Sequence, residues 1–234
     1  MSKRFIILGI IVWANSIFAL KPEKEYPYTP DSAGIKYEEI HFKTKDGLRL
    51  AGWFLPAQDT SGNIAEGVKP VIIITLSDAG NMGYTMWHYL NFFQSDKFHI
   101  LVFDWRGFGY SDPWPIFRDE ENKIVELIYP EFVLDLNAAI DYVKNRPEVD
   151  STRIGLFGCS MGGVIIFNAV FQRNDISAIM VRGIYTTIDE VMWTLSTLDD
   201  SWHSTAPHGY PAEWEPLWTG KKHQVLGISY SWRK

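Results

Sequence analysis

Arg153-Ile154-Gly155-Leu156-Phe157-Gly158-Cys159-Ser160-Met161-Gly162-Gly163 is the stretch on which the reading of this chain turns. A short apolar run enters it, and Val164-Ile165-Ile166-Phe167 leaves it. Between them, Gly158-Cys159-Ser160-Met161-Gly162 matches G-x-S-x-G, the nucleophile-elbow pattern. The spacing follows from the chemistry. A serine raised on a tight strand-to-helix turn sits at strained backbone angles, and its neighbours must approach closely. Side chains at Gly158 or Gly162 would collide there. The helix that follows aims its free N–H groups at the reaction centre. The sequence therefore predicts a buried strand, a turn carrying Ser160, and a helix.

Working outward, 234 residues suffice for a domain with a substantial core. A hydrophobic content of 46% fits a globular chain and argues against disorder. The net charge is -6 with no basic stripe, which excludes nucleic acid as an expected partner. Residues 1–19 read as a secretory signal. Lys3 and Arg4 form a positive start, Phe5 to Trp13 an apolar run, and the simplest cut follows Ala19. The expectation is export to the periplasm or medium, with no stable membrane span after cleavage. An uncleaved anchor through residues 5–20 is the alternative. Cys159 is the single cysteine, so an intrachain disulfide is impossible.

Along the chain, Leu20 to Gly34 reads as a surface loop. Ile35–Phe42 and Leu48–Phe54 have strand character around a Lys45-Asp46-Gly47 turn, and predict an antiparallel hairpin at a sheet edge. Val71–Leu76 is apolar on both faces, as a central parallel strand requires. A helix is expected over Thr85–Gln94, a strand over His99–Phe103, and a mixed loop from Trp114 to Pro130. Val133, Leu136, Ile140 and Val143 predict a helix over Glu131–Lys144. The elbow strand is expected from about Arg153 and its helix to about Gln172. Ile179–Ile184 reads as a further strand, and Thr187-Ile188-Asp189-Glu190 as a capping box opening a helix to about Leu198. Strands alternating with helices predict an α/β fold: a mainly parallel, doubly wound sheet with an N-terminal antiparallel hairpin, in one domain over residues 20–234.

Three stretches resemble the α/β-hydrolase family, in particular its esterase- and lipase-like serine hydrolases. They are the elbow; Asp104-Trp105-Arg106-Gly107-Phe108-Gly109-Tyr110-Ser111, which is similar to the family's D-x-R-G-x-G-x-S loop; and Leu76-Ser77-Asp78-Ala79-Gly80-Asn81, which stands where the family has a His-Gly loop. The resemblance implies Ser160 as nucleophile and the Met161 N–H as half of the oxyanion hole. The other half would come from the loop after the third family strand, with Asp78 as the best match. Leu76-Ser77 departs from the family's His-Gly, and an Asp78 carboxylate must point away from a developing anion. Asp104 and Arg106 read as loop-stabilising. The implied substrate is a small ester or acyl compound, and no cofactor is implied. H-x-x-x-H and H-E-x-x-H spacings are absent, which argues against a metal hydrolase.

The family order is Ser, then Asp or Glu, then His. Gln224–Tyr230 reads as the start of the seventh family strand, where the acid would follow, with the histidine well beyond. His203, His208 and His223, with Asp189, Asp199 and Asp200, fall in a cap-like segment over about 186–222 and read as lid or surface residues. The Trp193–Trp218 region is a plausible apolar cover for an acyl group. The favoured expectation is a fragment of a carboxylic ester hydrolase, its C-terminal strands missing or incomplete. The alternatives are a non-catalytic binding protein of this fold and a serine peptidase of the same fold.

Overall fold

A computed structural model of the chain describes residues 20–84, 95–114 and 130–184. The signal segment 1–19, the Thr85–Gln94 helix, nearly all of the Trp114–Pro130 loop, the Thr187–Leu198 helix, the cap segment, and the Gln224–Tyr230 strand lie outside the described residues. Chain contacts divide into two units, Met1–Ile184 with Trp232–Lys234, and Tyr185–Ser231. The described residues belong to the first.

Eight strands and two α-helices are described. They are β1 (Lys21–Pro22), β2 (Glu38–Lys43), β3 (Arg49–Leu55), β4 (Lys69–Thr75), β5 (Ala79–Gly80), β6 (His99–Phe103), α1 (Phe132–Lys144), β7 (Val149–Cys159), α2 (Met161–Val170) and β8 (Ala178–Arg182). Six strands form one sheet in the order β2-β3-β6-β4-β7-β8. The hairpin β2–β3 is antiparallel and also meets β6 antiparallel, while β6, β4, β7 and β8 run parallel. This is the expected α/β sheet with its N-terminal antiparallel pair. All five residues of β6 are buried, as a strand covered on both faces requires.

Helix α1 buries Phe132, Leu136, Ala139, Ile140 and Val143 along one stripe, so the spacing of three and four reports the face that packs. Helix α2 buries Met161, Ile165, Ile166 and Ala169. Among the described residues no helix is long and apolar enough to cross a membrane.

Strand order positions the site. The chain leaves β4 for β6 on one side, then crosses back to β7 on the other side of β4. Such a reversal opens a crevice at the carboxyl ends of the strands, where ligands of open α/β sheets bind. Thr75 and Gly158 are register partners there. The loops carrying Asp78 and Ser160 therefore leave from neighbouring strand ends.

One sequence expectation needs correction. Leu20 to Gly34 is more than a surface loop. Leu20 is buried, β1 pairs in parallel with β5, and Pro30–Ala33 forms a 3-10 turn closed by Gly34 at φ 73°. The segment lacks hydrophobic periodicity because backbone pairing and polar side chains hold it.

Candidate active site

Strand β7 ends at Cys159 and α2 begins at Met161, leaving Ser160 alone on the turn. Its angles are φ 51° and ψ −124°. Among the described residues it is the one non-glycine residue with positive φ. Such a conformation costs about 1–3 kcal/mol and persists only where its surroundings enforce it. Here the Ser160 N–H donates to the Arg182 carbonyl at 2.9 Å, and the Ser160 carbonyl accepts from the Gly163 N–H at 3.0 Å. A serine at a helix N-cap ordinarily spends its hydroxyl on the first turn. Ser160 makes no such capping bond. Ser160 is half-buried, and its Oγ is left out of the helix's own bonding.

The flanking glycines are required by contact. A Cβ on Gly162 would lie 2.5 Å from the Leu76 carbonyl oxygen and 2.6 Å from Thr75 Oγ1. A Cβ on Gly158 would lie 2.6 Å from Thr75 Oγ1 and 2.8 Å from the Gly162 carbonyl carbon. The end of β4 is thus pressed onto the elbow, and Thr75 Oγ1 donates to the Phe157 carbonyl at 3.2 Å. Met161 opens α2, and its N–H is among the four that have no carbonyl partner within the helix. Asp78 is half-buried, two residues past Leu76. Of the three residues singled out from sequence, Ser160 and Met161 share the turn itself. Asp78 sits on the loop leaving the strand next to it.

Beyond the β4 loop, on the side away from the elbow, lies a second cluster, built on the loop after β6. Asp104 is fully buried. Its Oδ1 accepts from the Met82 N–H at 2.7 Å and its Oδ2 from the Tyr26 hydroxyl at 2.6 Å. Burial pushes its carboxyl up to about 7, against the pull of these donors. Burial and the neighbouring carboxylate push the Tyr26 phenol well above its usual range. A Cβ on Gly109, at φ 45°, would overlap the Asp104 carboxylate, so glycine is needed there. Arg106 is buried and reaches two carboxylates: Asp135 Oδ1 at 2.7 Å and Asp46 Oδ2 at 2.8 Å. Its own N–H donates to Asp135 Oδ2 at 3.0 Å. Asp104 and Arg106 hold their loop in place, as their sequence setting suggests. Trp105 adds an indole N–H to the Leu76 carbonyl at 3.2 Å.

Tyr26 went unnoticed in the sequence, and Asn81 was quoted with its loop but given no role. Tyr26 stands in no motif, and it meets Asp104 from 78 positions away. The two described histidines do not serve Ser160. His41 is exposed on β2, and His99 accepts from the Ala57 N–H at 2.9 Å while facing the Glu148 carbonyl at 3.1 Å. Burial holds the His99 imidazole below its usual range, in its neutral form. His203, His208, His223, Asp189, Asp199 and Asp200 lie outside the described residues.

Comparison with known proteins agrees with this geometry. The family model described as alpha/beta hydrolase fold matches residues 73–212. The alpha/beta hydrolase domain-containing protein WAV2 of Arabidopsis thaliana is 29% identical over 70% of this chain and 48% of its own length. The uncharacterized protein YfhR of Escherichia coli K12 is 30% identical over 74% of this chain and 55% of its own. The chain thus spans about half the length of the curated relatives it matches. Among solved structures, the Pyrococcus furiosus esterase Pf2001 superposes with a TM-score of 0.59 at 21% identity, covering 80% of this chain and 66% of that one. The hypothetical protein PA2218 of Pseudomonas aeruginosa gives a TM-score of 0.54 at 22% identity, covering 79% and 59%. The sheet order, the strained serine between β7 and α2, and the match over residues 73–212 place this chain in the α/β-hydrolase family.

Proposed function

We propose that the protein is a serine hydrolase that cleaves small carboxylic esters through an acyl-enzyme on Ser160. The observation that carries this reading is the Ser160 backbone at φ 51°, a strained serine that gives no capping bond to its helix. The name of the Pf2001 structure, an esterase, fits the ester reading. In the reaction, Ser160 Oγ attacks the ester carbonyl carbon as its proton passes to a base. The carbonyl oxygen becomes an anion, received by the N–H groups of Met161 and Asp78. The intermediate collapses, the alcohol leaves with a proton, and water then releases the acid by the same route in reverse. The acid and base of the triad are assigned to residues outside those described.

Hydrolysis of a chain-length series of p-nitrophenyl esters by the full-length gene product tests this. Activity is expected, and Ser160→Ala should lower kcat by roughly 10³- to 10⁶-fold. A folded wild-type protein without turnover would instead favour a binding protein of this fold, the alternative that fits the two described histidines standing away from Ser160. We also propose export with cleavage after Ala19, which leaves β1 whole. The mass of the mature protein from the periplasm or medium checks it, and a retained residue 1–19 segment would contradict it.

A further inference from the structure

The segment from Leu20 to Tyr26 runs across two adjacent loops, the one after β4 that meets the elbow and the one after β6 beyond it. Its backbone pairs with the loop after β4. Lys21 and Pro22 stand opposite Ala79 and Gly80, and the Glu23 N–H donates to the Gly80 carbonyl at 3.0 Å. Asn81 answers with its side chain. Its Nδ2 donates to the Glu25 carbonyl at 2.7 Å and to the Glu23 carbonyl at 3.1 Å, and its Oδ1 accepts from the Gly83 N–H at 3.0 Å. Asn81 is fully buried, and its amide is thereby satisfied on both sides. The same segment holds the loop after β6. The Glu23 carbonyl accepts from the Gly109 N–H at 2.9 Å, and the Tyr26 oxygen accepts from the Tyr110 N–H at 3.2 Å while its hydroxyl donates to Asp104. Asp104 closes the circuit by accepting from Met82. The Tyr26 ring meets Trp53 edge-on at 4.9 Å between centroids, which seats the strap on the core.

These contacts converge on one short span. Before Asp78, the Leu76 carbonyl is pinned by Trp105 and pressed against Gly162 of the elbow. After Asp78, Ala79 to Met82 are pinned by the strap and by Asp104. Asp78 lies on the two-residue bridge, Ser77-Asp78, between fixed points. Few backbone conformations join fixed ends so close together, so the anchors dictate where its N–H points.

We propose that Leu20–Tyr26 is a strap that sets the backbone of the loop carrying Asp78, with Tyr26, Asn81 and Asp104 as positioning residues for the oxyanion site. This rests on the reading of Ser160 as the nucleophile. Strap and substrate need not touch. The strap acts on a donor that works only when aimed at the developing anion, so its loss costs turnover more than binding.

The test uses the full-length protein with Tyr26→Phe and Asn81→Ala. Arg173→Ala, which removes ion pairs to Asp141 and Asp175, serves as a control for stability loss. Two readouts are taken well below the unfolding temperature: p-nitrophenyl butyrate kinetics, and amide hydrogen exchange at Gly80–Gly83. In both strap variants kcat should fall by about 10- to 100-fold with KM within about twofold. Exchange at Gly80–Gly83 should quicken, and Arg173→Ala should change neither. A kcat within about twofold of wild type in both strap variants overturns the proposal. So does a kcat loss that Arg173→Ala shares in proportion to its lost stability. If wild type itself shows no turnover, the nucleophile reading fails separately, and exchange alone judges the strap. Faster exchange in Asn81→Ala then supports the clamp, and unchanged exchange refutes it.

Discussion

The elbow and the neighbouring Asp104 cluster both hold backbone in places it would not choose, and they do so by opposite means. At the elbow the device is missing side chains. Gly158 and Gly162 leave room for Thr75 and Leu76 to press against the turn, and Ser160 is bent to φ 51° by what surrounds it. At the cluster the device is side chains. Asp104, Arg106, Tyr26 and Asn81 reach across the chain to hold loops through polar contacts in buried surroundings. Steric fit has no charge and does not respond to pH. Contacts to a buried ionisable group such as Asp104 do, and any buried polar contact leaves an unsatisfied partner when broken. The first device shapes the turn that carries Ser160, the proposed nucleophile. The second shapes the loop that carries Asp78, the proposed second oxyanion donor.

This contrast can be broken on either side. Arg106→Ala should have the largest effect, because it leaves Asp135 buried without its cation. A loss of about 3–5 kcal/mol is expected in urea unfolding. Asp104→Asn comes next, and its effect should depend on pH. The Asp104 carboxyl titrates near 7 in the folded chain and near the ordinary 3.8 when unfolded. Between those values the unfolded chain has lost a proton that the folded chain keeps, so ionisation costs wild type stability as pH rises through that window. Among the described residues no cation pairs with Asp104 to offset it. Measured from pH 4 to pH 8, the variant should therefore gain on wild type, by up to about 4 kcal/mol.

On the other side, Gly162→Ala forces a methyl group onto the Leu76 carbonyl. It should cost about 2–3 kcal/mol, and equally at pH 5 and pH 8. A pH-dependent loss there would undo the distinction between the two devices. Tyr26→Phe removes a single hydroxyl from the cluster and should cost about 1 kcal/mol by thermal unfolding, with its main effect on kcat.

How much of this could be read in advance follows from the same contrast. The elbow places its three decisive residues, Gly158, Ser160 and Gly162, within five positions, so a local pattern reveals it. The stripe of Leu136, Ile140 and Val143 announces α1 for the same reason, since helical packing repeats at short range. Central strands β4 and β6 show as apolar runs because both their faces are covered. The strap was illegible. Leu20–Tyr26 mixes lysine, proline, glutamate and tyrosine with no period, and its hydrogen-bond partners lie 56 to 86 positions away. Arg106 could be read as a loop anchor from its setting, yet its partner Asp135 sits on the buried stripe of α1 as a lone polar residue. Asp78 falls between these cases. The resemblance singled out its loop and the structure's strand order sets that loop beside the elbow, while the departure from His-Gly left the loop's anchors to be found in three dimensions.

The central claim is that the strained serine is a nucleophile, and active-site labelling tests it most directly. The folded full-length protein is treated with a fluorophosphonate and its intact mass is measured, followed by peptide mapping. One adduct on Ser160 is predicted, lost in Ser160→Ala while that variant keeps its fold. Folded wild type that takes no adduct, or an adduct that persists in Ser160→Ala, would contradict it.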